Sequence, residues 1–334
     1  MNVFELTRAL VDIESITNNE GEVGAWLLDY LSAMAASTGG TVERMDVEPG
    51  RFNVFAAWGE PRVTLTSHMD VVPPFFPSRE DDDTIYGRGA CDAKGIIASM
   101  IGAAEKLLAA GRRGFGLLFV VGEERNSAGA FAAARNGRGS RYLINGEPSE
   151  NQLALGSKGA LRFEIVARGR MAHSAYPELG DSAIDKLLDV LEKIRRIPMP
   201  QDPVLGGGSL NIGTISGGRA PNVIPDKAKA ELMIRLVADA GPIRAAIQEA
   251  AAGRVEASEV MSIPAIRLNS IPGLPTTVVS YTSDIPAFGP AWGEPFLIGP
   301  GSIFVAHTLD EKVSKRQLLE AVDIYCTMVE RLLS

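Results

Sequence analysis

Apolar runs of strand length alternate with helical segments in the first half of the chain. The strand-like runs are RFNVFAAW, VTLTSHMD, GFGLLFVVGEE and RYLINGEP, and the helical segments among them are GIIASMIGAAEKLLAAG and AGAFAAARNG. Thr17 and Glu20 have the spacing of a capping box before an earlier helix. Strands that alternate with helices favour a parallel sheet covered on both faces. We therefore predict an α/β fold with a mostly parallel sheet covered by helices.

The character of the sequence changes near Ala160. The segment LRFEIVARG alternates like a half-exposed strand, and an amphipathic helix and further strands follow it. Two helices on a mainly antiparallel sheet would form a small α+β domain. Apolar, glycine-rich sequence then resumes before the final helix and contains His307. If that segment rejoins the first sheet, the chain has a discontinuous domain at residues 1–158 and 272–334 and an inserted domain at residues 159–271.

Composition excludes several classes of protein. The net charge is −8 and no dense basic run occurs, which argues against nucleic-acid or anionic-membrane partners. No stretch approaches the roughly 20 apolar residues that span a bilayer, and the N-terminus lacks the features of a signal peptide. The two cysteines are far apart and do not resemble a disulfide framework. We therefore expect a soluble, cytoplasmic protein.

Histidine is scarce, and carboxylates recur where the apolar runs end. The chain has three histidines, His68, His173 and His307. Acidic residues end the strand-like runs in HMD, GEE and GEP, and Asp92 lies in the GRGACDAKG loop. Ligands of open α/β sheets gather at the carboxyl ends of the strands, and imidazole is a common metal ligand. This placement predicts a two-metal hydrolase.

Each residue taken singly also has an ordinary structural explanation. His68 could be a strand-end histidine bonded to a loop, whereas in a metal site Asp70, on the same side of the extended chain, would steady its ring. Asp92 could be the N-cap of the helix that follows it. The two histidines His173 and His307 could be structural. The joint placement, rather than any one residue, favours the metal site.

The carboxylates after the later strands have a similar alternative. Glu123 and Glu124 could be a solvated pair in a loop, although two like charges there would repel one another unless cations offset them. Glu147 follows its strand in the same way. One carboxylate of the Glu123–Glu124 pair could ligate a metal while the other faces an attacking water.

The order of the motifs resembles the co-catalytic zinc amidohydrolase and peptidase family. The motifs are HMDVVPP, YGRGACDAKG, VVGEE, GEPS, GSKGALRF, MAHSAYPE, ISGGRAPNVIP and GPGSIFVAHTLDE. The family includes acetylornithine deacetylase, succinyl-diaminopimelate desuccinylase, aminoacylase and carboxypeptidase G. The resemblance runs from the first helices to the last one and looks closest to acyl-lysine and acyl-ornithine deacetylases.

The resemblance implies two Zn²⁺ ions per subunit, for which Co²⁺ or Mn²⁺ could substitute. The implied ligands are His68, Asp92 and Glu147 for one ion and Asp92, Glu124 and His307 for the other. Asp92 would bridge the ions, Glu123 would be the general base, and Asp70 would support a ligand histidine.

The inserted domain would, by the same resemblance, be a lid and dimerisation domain. His173 would enter the active site from this domain, in this family usually from the other subunit of a homodimer. Asn222 and Arg235 match positions that bind the carboxylate end of the substrate. Arginine suits that task because its guanidinium group meets a carboxylate through two parallel hydrogen bonds.

The function implied is hydrolysis of the amide bond of an N-acyl amino acid, as in acetylornithine or acyl-lysine deacetylases of amino-acid biosynthesis. A dipeptidase or carboxypeptidase of the same family is the alternative, because it breaks the same kind of bond. A non-catalytic relative that binds amino acids is a third hypothesis. The sequence does not display the extent of the acyl pocket, which would distinguish the first two.

Overall fold

A computed structural model describes residues 1–334, which fold into two compact units. Unit 1 comprises Met1–Leu155, Leu268–Thr277 and Ser283–Ser334, and unit 2 comprises Gly156–Arg267 and Val278–Thr282. The chain therefore passes into unit 2 twice. The sequence analysis does not predict the second, short segment, Val278–Thr282. It is held within unit 2 by a hydrogen bond of 3.1 Å from Lys158 N to Val279 O.

Eight helices and twenty strands, numbered in chain order, make up the regular structure. The helices are α1 Val3–Val11, α2 Gly21–Thr38, α3 Lys94–Ala109, α4 Ala128–Ala134, α5 Ala183–Arg195, α6 Gly241–Ala251, α7 Ile285–Phe288 and α8 Lys315–Leu333. The first ten strands are β1 Thr41–Glu48, β2 Arg51–Trp58, β3 Val63–His68, β4 Arg79–Glu80, β5 Thr84–Tyr86, β6 Phe115–Val120, β7 Tyr142–Asn145, β8 Leu153–Ser157, β9 Gly159–Arg168 and β10 Ala172–His173. The last ten are β11 Gln201–Asp202, β12 Gly206–Gly207, β13 Ser209–Gly217, β14 Val223–Ile224, β15 Lys227–Leu236, β16 Glu256–Ile263, β17 Ile266–Arg267, β18 Thr276–Val279, β19 Glu294–Leu297 and β20 Lys312–Ser314.

The central sheet of unit 1 has the strand order β1-β2-β6-β3-β7-β19. Strand β3 runs parallel to both β6 and β7, and β19 runs parallel to β7. Strands β1 and β2 add an antiparallel edge, because the two residues Pro49 and Gly50 that join them leave room only for a hairpin. The α/β fold class with a mostly parallel sheet is confirmed.

Helices cover both faces of this sheet, so β2, β3 and β6 are buried at every position. One apolar cluster contains Leu117 and Phe119 of β6 together with residues of α2, α3 and α8. The other contains Leu118 and Val120 of β6 together with residues of α4 and α7. Alternate residues of β6 thus pack into opposite layers, as the twofold period of a strand requires. The strands that lead to the site are thereby packed between two layers of helices.

The capping box predicted at Thr17 and Glu20 is wrong. Glu20 is the N-cap residue of α2 but makes no side-chain capping bond. Its carboxylate instead pairs with buried Arg51 at 2.6 Å, and the Thr17 hydroxyl donates to Asp70 Oδ2 at 2.8 Å. Both side chains are used for contacts between distant segments, which the local spacing cannot reveal.

Unit 2 is built on a four-stranded antiparallel sheet in the order β13-β15-β9-β16. Helices α5 and α6 pack on it, with Phe163, Leu187 and Ile247 in the shared core. Strand β13 is an edge strand, and Ile215 on it is 58% exposed. Leu188 of the adjacent α5 is 51% exposed. An edge strand with apolar neighbours is a surface that readily pairs with another strand.

None of the eight helices combines the length and the apolar character needed to cross a membrane. The cytoplasmic location expected from the sequence stays a prediction.

Candidate metal centre

Three neighbouring parallel strands of unit 1 end in polar residues. His68 ends β3 and pairs with Val120, the last residue of β6. Glu123 and Glu124 follow β6, and Glu147 follows β7, the other neighbour of β3. The carboxyl ends of parallel strands meet at one edge of a sheet. The fold therefore brings these side chains together although they are far apart in sequence.

His68, Asp92 and Glu147 form the first group of candidate metal ligands. One potential ligand atom of each residue lies within 4.8 Å of the others, and His68 Nε2 is 2.9 Å from Asp92 Oδ1. All three residues are buried. An imidazole nitrogen and carboxylate oxygens are the donors that zinc and similar divalent ions accept.

Asp92, Glu124 and His307 form the second group, with potential ligand atoms again within 4.8 Å of one another. His307 Nε2 lies 2.9 Å from Glu124 Oε1 and 3.4 Å from Asp92 Oδ2. The backbone of His307 has φ 63°, a left-handed conformation that is uncommon outside glycine and clusters at functional sites. Asp92 belongs to both groups, since its two oxygens face different histidines. A shared carboxylate suits two cations about 3.5–4 Å apart.

The alternative that Asp92 caps the following helix is wrong. Ala93 is the N-cap residue of α3, and no side chain donates or accepts a capping bond there. The Asp92 carboxylate is turned toward the two imidazoles instead.

The ring of His68 is held by Asp70, mainly through the backbone. His68 Nδ1 is 2.9 Å from the carbonyl oxygen of Asp70 and 3.6 Å from its Oδ1. Because a carbonyl oxygen can only accept, Nδ1 carries the proton of a neutral ring and Nε2 has a free lone pair. In that neutral form, which is the one that binds a metal, the lone pair is on the side of Asp92, whose Oδ1 is 2.9 Å from Nε2.

The carboxylate of Asp70 has a second role that the sequence does not predict. It accepts hydrogen bonds from the backbone amides of three successive residues, Gly122, Glu123 and Glu124, at 2.9, 3.1 and 3.2 Å. The hydroxyl of Thr17 donates to it as well. Asp70 therefore fixes the turn that presents Glu123 and Glu124.

The carboxylates of the site repel one another. Burial, and after it the negative charge of Glu147, raises the pKa of Glu123 well above its ordinary value. Burial also raises the pKa of Glu147 well above its ordinary value, and the charge of Asp92 adds to the rise. Burial raises the pKa of Glu124. Carboxylates crowded in this way ionise readily only beside positive charge.

The two imidazoles face these carboxylates. Hydrogen bonds to Asp92 and Glu124 raise the pKa of His307 to about 10. Burial disfavours the charged form of His68, but the carboxylates of Asp70 and Asp92 still raise its pKa well above the ordinary value. Burial likewise opposes ionisation of Asp92, yet the imidazoles hold the pKa of Asp92 below its ordinary value. The donor atoms and the excess of negative charge fit two divalent cations.

Several buried charged residues of unit 1 have no role in the sequence prediction. Three of them are Arg88, Asp284 and Glu311. Burial raises the pKa of Asp284 to about 7, with Asp70 and Glu124 as negative neighbours. Each of the three lies in a motif that stands out in the sequence, but an acidic or basic residue in a loop gives no sign that it will be buried.

His173, Asn222 and Arg235 lie in unit 2. His173 is exposed on β10, and its Nδ1 accepts a hydrogen bond of 3.1 Å from the amide of Ala175, which leaves Nε2 as a donor. Exposed Asn222 is joined to the same turn, because its carbonyl oxygen accepts from the amide of Ser174 at 3.0 Å. Arg235 of β15 is partly buried, and burial alone lowers its pKa. It has no ion-pair partner in the structure.

The sequence profile of peptidase family M20/M25/M40 matches residues 64–331. A Peptidase M20 domain-containing protein of Schizosaccharomyces pombe is 40% identical to the chain over 98% of its length and 84% of the relative. A protein of Aspergillus oryzae named "Probable carboxypeptidase" is 36% identical over 97% of this chain and 86% of the relative. The crystal structure of Bacillus subtilis YxeP, described as a dinuclear metal binding peptidase from the M20 family, aligns with a TM-score of 0.69 at 17% identity, covering 99% of this chain and 98% of that one.

Proposed function

The chain belongs to peptidase family M20/M25/M40 and is a hydrolase of the metallopeptidase type, and on that premise we propose that the centre in unit 1 holds two divalent cations and cleaves an amide bond next to a free carboxylate. The observation that carries the proposal is the position of Asp92 between two histidines, 2.9 Å from His68 Nε2 and 3.4 Å from His307 Nε2.

We assign the metal ligands from the two groups of donors. One cation would be held by His68, Asp92 and Glu147 and the other by Asp92, Glu124 and His307. Zinc is the proposed ion, and Co²⁺ or Mn²⁺ would accept similar donors. When bound, the two cations would polarise the carbonyl oxygen of the scissile amide and lower the pKa of the attacking water.

Glu123 is the proposed general base. It lies beside the ligands but belongs to neither ligand group, so its carboxylate is free to take part in proton transfer. Its amide is tied to Asp70, which fixes the position of the residue. In this role Glu123 accepts the proton of the attacking water and then delivers it to the nitrogen of the departing amine. A positioned general base contributes about 10²–10⁴-fold to the rate.

Arg235 and Asn222 are the proposed binding groups for the free carboxylate of the substrate. Arg235 is a partly buried cation without an acidic partner, which is an arrangement that an anionic ligand would complete. Its guanidinium group can hold a carboxylate through two parallel hydrogen bonds. This requirement favours substrates with a free terminal carboxylate.

Carboxypeptidase or dipeptidase activity is the preferred assignment. The relatives at 36–40% identity include proteins named as probable carboxypeptidases, which supports the alternative of the sequence analysis over its first choice. Deacylation of an N-acyl amino acid stays the second candidate, because the order and the residues of the motifs resemble those of acyl-ornithine and acyl-lysine deacetylases. Both reactions break an amide bond beside a free carboxylate.

His173 is the proposed oxyanion donor. Its Nε2 can donate because Nδ1 accepts from the amide of Ala175. Donation to the carbonyl oxygen, as negative charge develops there, is a contribution whose loss typically costs about 10²–10³-fold in rate.

We further propose that the protein is a homodimer that pairs through unit 2. The edge strand β13 has unpaired backbone groups along one side, and Ile215 and Leu188 expose apolar surface beside it. A second copy that adds its own β13 would cover both features at once. In such a dimer His173 is the residue of unit 2 that we expect to act in the partner's active site.

A substrate panel on metal-analysed protein tests the proposed function. The panel contains dipeptides, N-acetyl and N-succinyl amino acids, and the same dipeptides with an amidated C-terminus as matched controls. We expect dipeptides to be cleaved faster than the acyl amino acids and the amidated controls to be poor substrates. Protein that carries two metals and cleaves no member of the panel would overturn the proposal.

A further inference from the structure

Glu311 lies at the junction of two segments that carry the proposed metal ligands. It is 1% exposed and follows His307 by four residues. Its side chain reaches the loop of residues 87–92, which ends at Asp92 and lies more than two hundred positions earlier in the chain. No other side chain in the structure contacts that loop through so many hydrogen bonds.

The contacts of Glu311 are directed at the backbone of the loop. Oε1 accepts from the amides of Gly89, Cys91 and Asp92 at 2.9, 3.3 and 3.1 Å. Oε2 accepts from Nη1 of Arg88, whose Nε donates to Pro74 O at 3.2 Å. One carboxylate oxygen therefore gathers three amides, and the other is held by a guanidinium group.

The backbone of Glu311 adds a fifth hydrogen bond to the loop. The amide of Gly87 donates to the carbonyl oxygen of Glu311 at 3.1 Å. This bond continues the antiparallel pairing of β5 with β20, in which Tyr86 is opposite Lys312. The loop that ends at Asp92 and the segment that carries His307 are thus joined immediately beside the paired strands β5 and β20.

We propose that Glu311 is a positioning residue of the metal centre, one that sets the distance between Asp92 and His307 through the amides of the Asp92 loop. The proposal rests on the ligand roles assigned above. Burying the ion pair of Arg88 and Glu311 is costly unless further hydrogen bonds satisfy its members. For Glu311 those bonds come from the amides of the Asp92 loop, whereas Arg88 donates through Nε to Pro74 O and its Nη2 is buried without a partner. Residues that orient metal ligands typically change metal affinity about 10–100-fold when they are replaced.

Glu311→Gln is the informative variant. The amide has the size of the carboxylate but only one acceptor oxygen. Whichever way it turns, its NH₂ group faces either Arg88 or the three loop amides, so one set of contacts is lost. Asp310→Asn is the matched control, since Asp310 is the preceding residue on the same segment and its exposed carboxylate pairs only with Lys312 at 2.5 Å.

The measurement is the affinity of purified metal-free protein for Zn²⁺, by competition with a chelator, at a temperature where circular dichroism shows every variant to be folded. The visible spectrum of the Co²⁺-loaded protein reports the ligand geometry independently of turnover. We expect Glu311→Gln to bind the metals about 10–100-fold more weakly and to shift the Co²⁺ spectrum, while Asp310→Asn matches the wild type in both.

Two outcomes separate the inference from the proposed function. If Glu311→Gln melts at a lower temperature but keeps the wild-type affinity and Co²⁺ spectrum, Glu311 is part of a structural ion pair only and the inference is wrong. If the wild type binds no metal, or Asp92→Asn binds as tightly as the wild type, the proposed function itself fails. If Glu311→Gln does not fold, the Zn²⁺ affinity and the Co²⁺ spectrum of Arg88→Lys are measured instead. This variant keeps the charge but loses the planar guanidinium group, and we expect a smaller loss of affinity in the same direction.

Discussion

The backbone amide of Glu123 donates a hydrogen bond of 3.1 Å to Oδ1 of Asp70. Asp70 thereby links the proposed general base to the strand end that carries His68, because its own carbonyl oxygen holds the ring of that histidine. The residue supports a ligand and the base at the same time.

Asp70→Asn should therefore lower the turnover number without unfolding the protein. Both carboxylate oxygens accept bonds in the wild type, and the NH₂ group of asparagine would face the donors of the Gly122–Glu124 turn. We expect a loss of about 10–100-fold in kcat. The check is steady-state kinetics with metal analysis. Thr17→Val is the control, since it removes one donor and leaves both carboxylate oxygens of Asp70 in place. A wild-type kcat for Asp70→Asn would contradict the role assigned to Asp70.

Glu123→Gln should keep both metals and lose nearly all turnover. Glutamine is close in size but cannot accept the proton of the water, and the expected loss is about 10²–10⁴-fold in kcat. Metal content by mass spectrometry and kcat on a dipeptide are the measurements. Glu320→Gln on α8, an exposed carboxylate paired with Arg316, should behave as the wild type. A Glu123→Gln protein that turns over normally would exclude Glu123 as the base.

Arg235→Ala should raise KM selectively. The lost charge-assisted hydrogen bonds correspond to about 10–100-fold in the binding of a substrate with a free carboxylate. Substrates with an amidated terminus should show little change. Arg162→Ala is a suitable control, because Arg162 lies on a neighbouring strand and already pairs with Glu231. An equal rise in KM for both substrate types would argue against carboxylate binding by Arg235.

The stability of the metal-free protein should fall as pH rises. Burial raises the pKa of Glu123 and Glu147, and ion pairing raises the pKa of His307 to about 10. Raised pKa values favour the protonated side chains in the folded state, so these groups stabilise that state fully below their unfolded-state pKa values, about 4.3 for Glu and 6.5 for His. The stabilisation is lost as pH rises through the folded-state pKa values. We expect the Tm of metal-free protein to decrease between about pH 5 and 9.

The gain in Tm on adding Zn²⁺ should increase over the same pH range, because binding displaces protons from these groups. Calorimetry of metal-free and metal-loaded protein in a series of buffers measures both effects. A gain that shrinks with rising pH would show that the groups do not change protonation on binding.

Leu188→Glu should convert the proposed dimer to a monomer. A charge placed beside the edge strand β13 would be buried without a partner in the dimer. Analytical ultracentrifugation measures the mass. Leu319→Glu on α8 is a matched control, since Leu319 and Leu188 are each 51% exposed. A monomer with full activity would contradict the action of His173 across the dimer.

The sequence by itself determined the fold class and the set of polar residues at the strand ends. A strand as continuously apolar as β6 must be covered on both faces, and residues that follow parallel strands meet at one edge of the sheet. His68, Glu124 and Glu147 are brought together for that reason, and the order of the motifs added His307.

Only the tertiary structure decided how these groups are held. The turn of Asp92 toward two imidazoles, the bonds of Asp70 to the Gly122–Glu124 turn, and the burial of Glu311 against the Asp92 loop join segments that are distant along the chain. Local spacing suggested a capping box at Thr17 and a helix cap at Asp92, and both were wrong. A polar side chain takes whichever partner the folded chain places nearest, and periodicity specifies which face of an element is buried but not which distant group will lie against it.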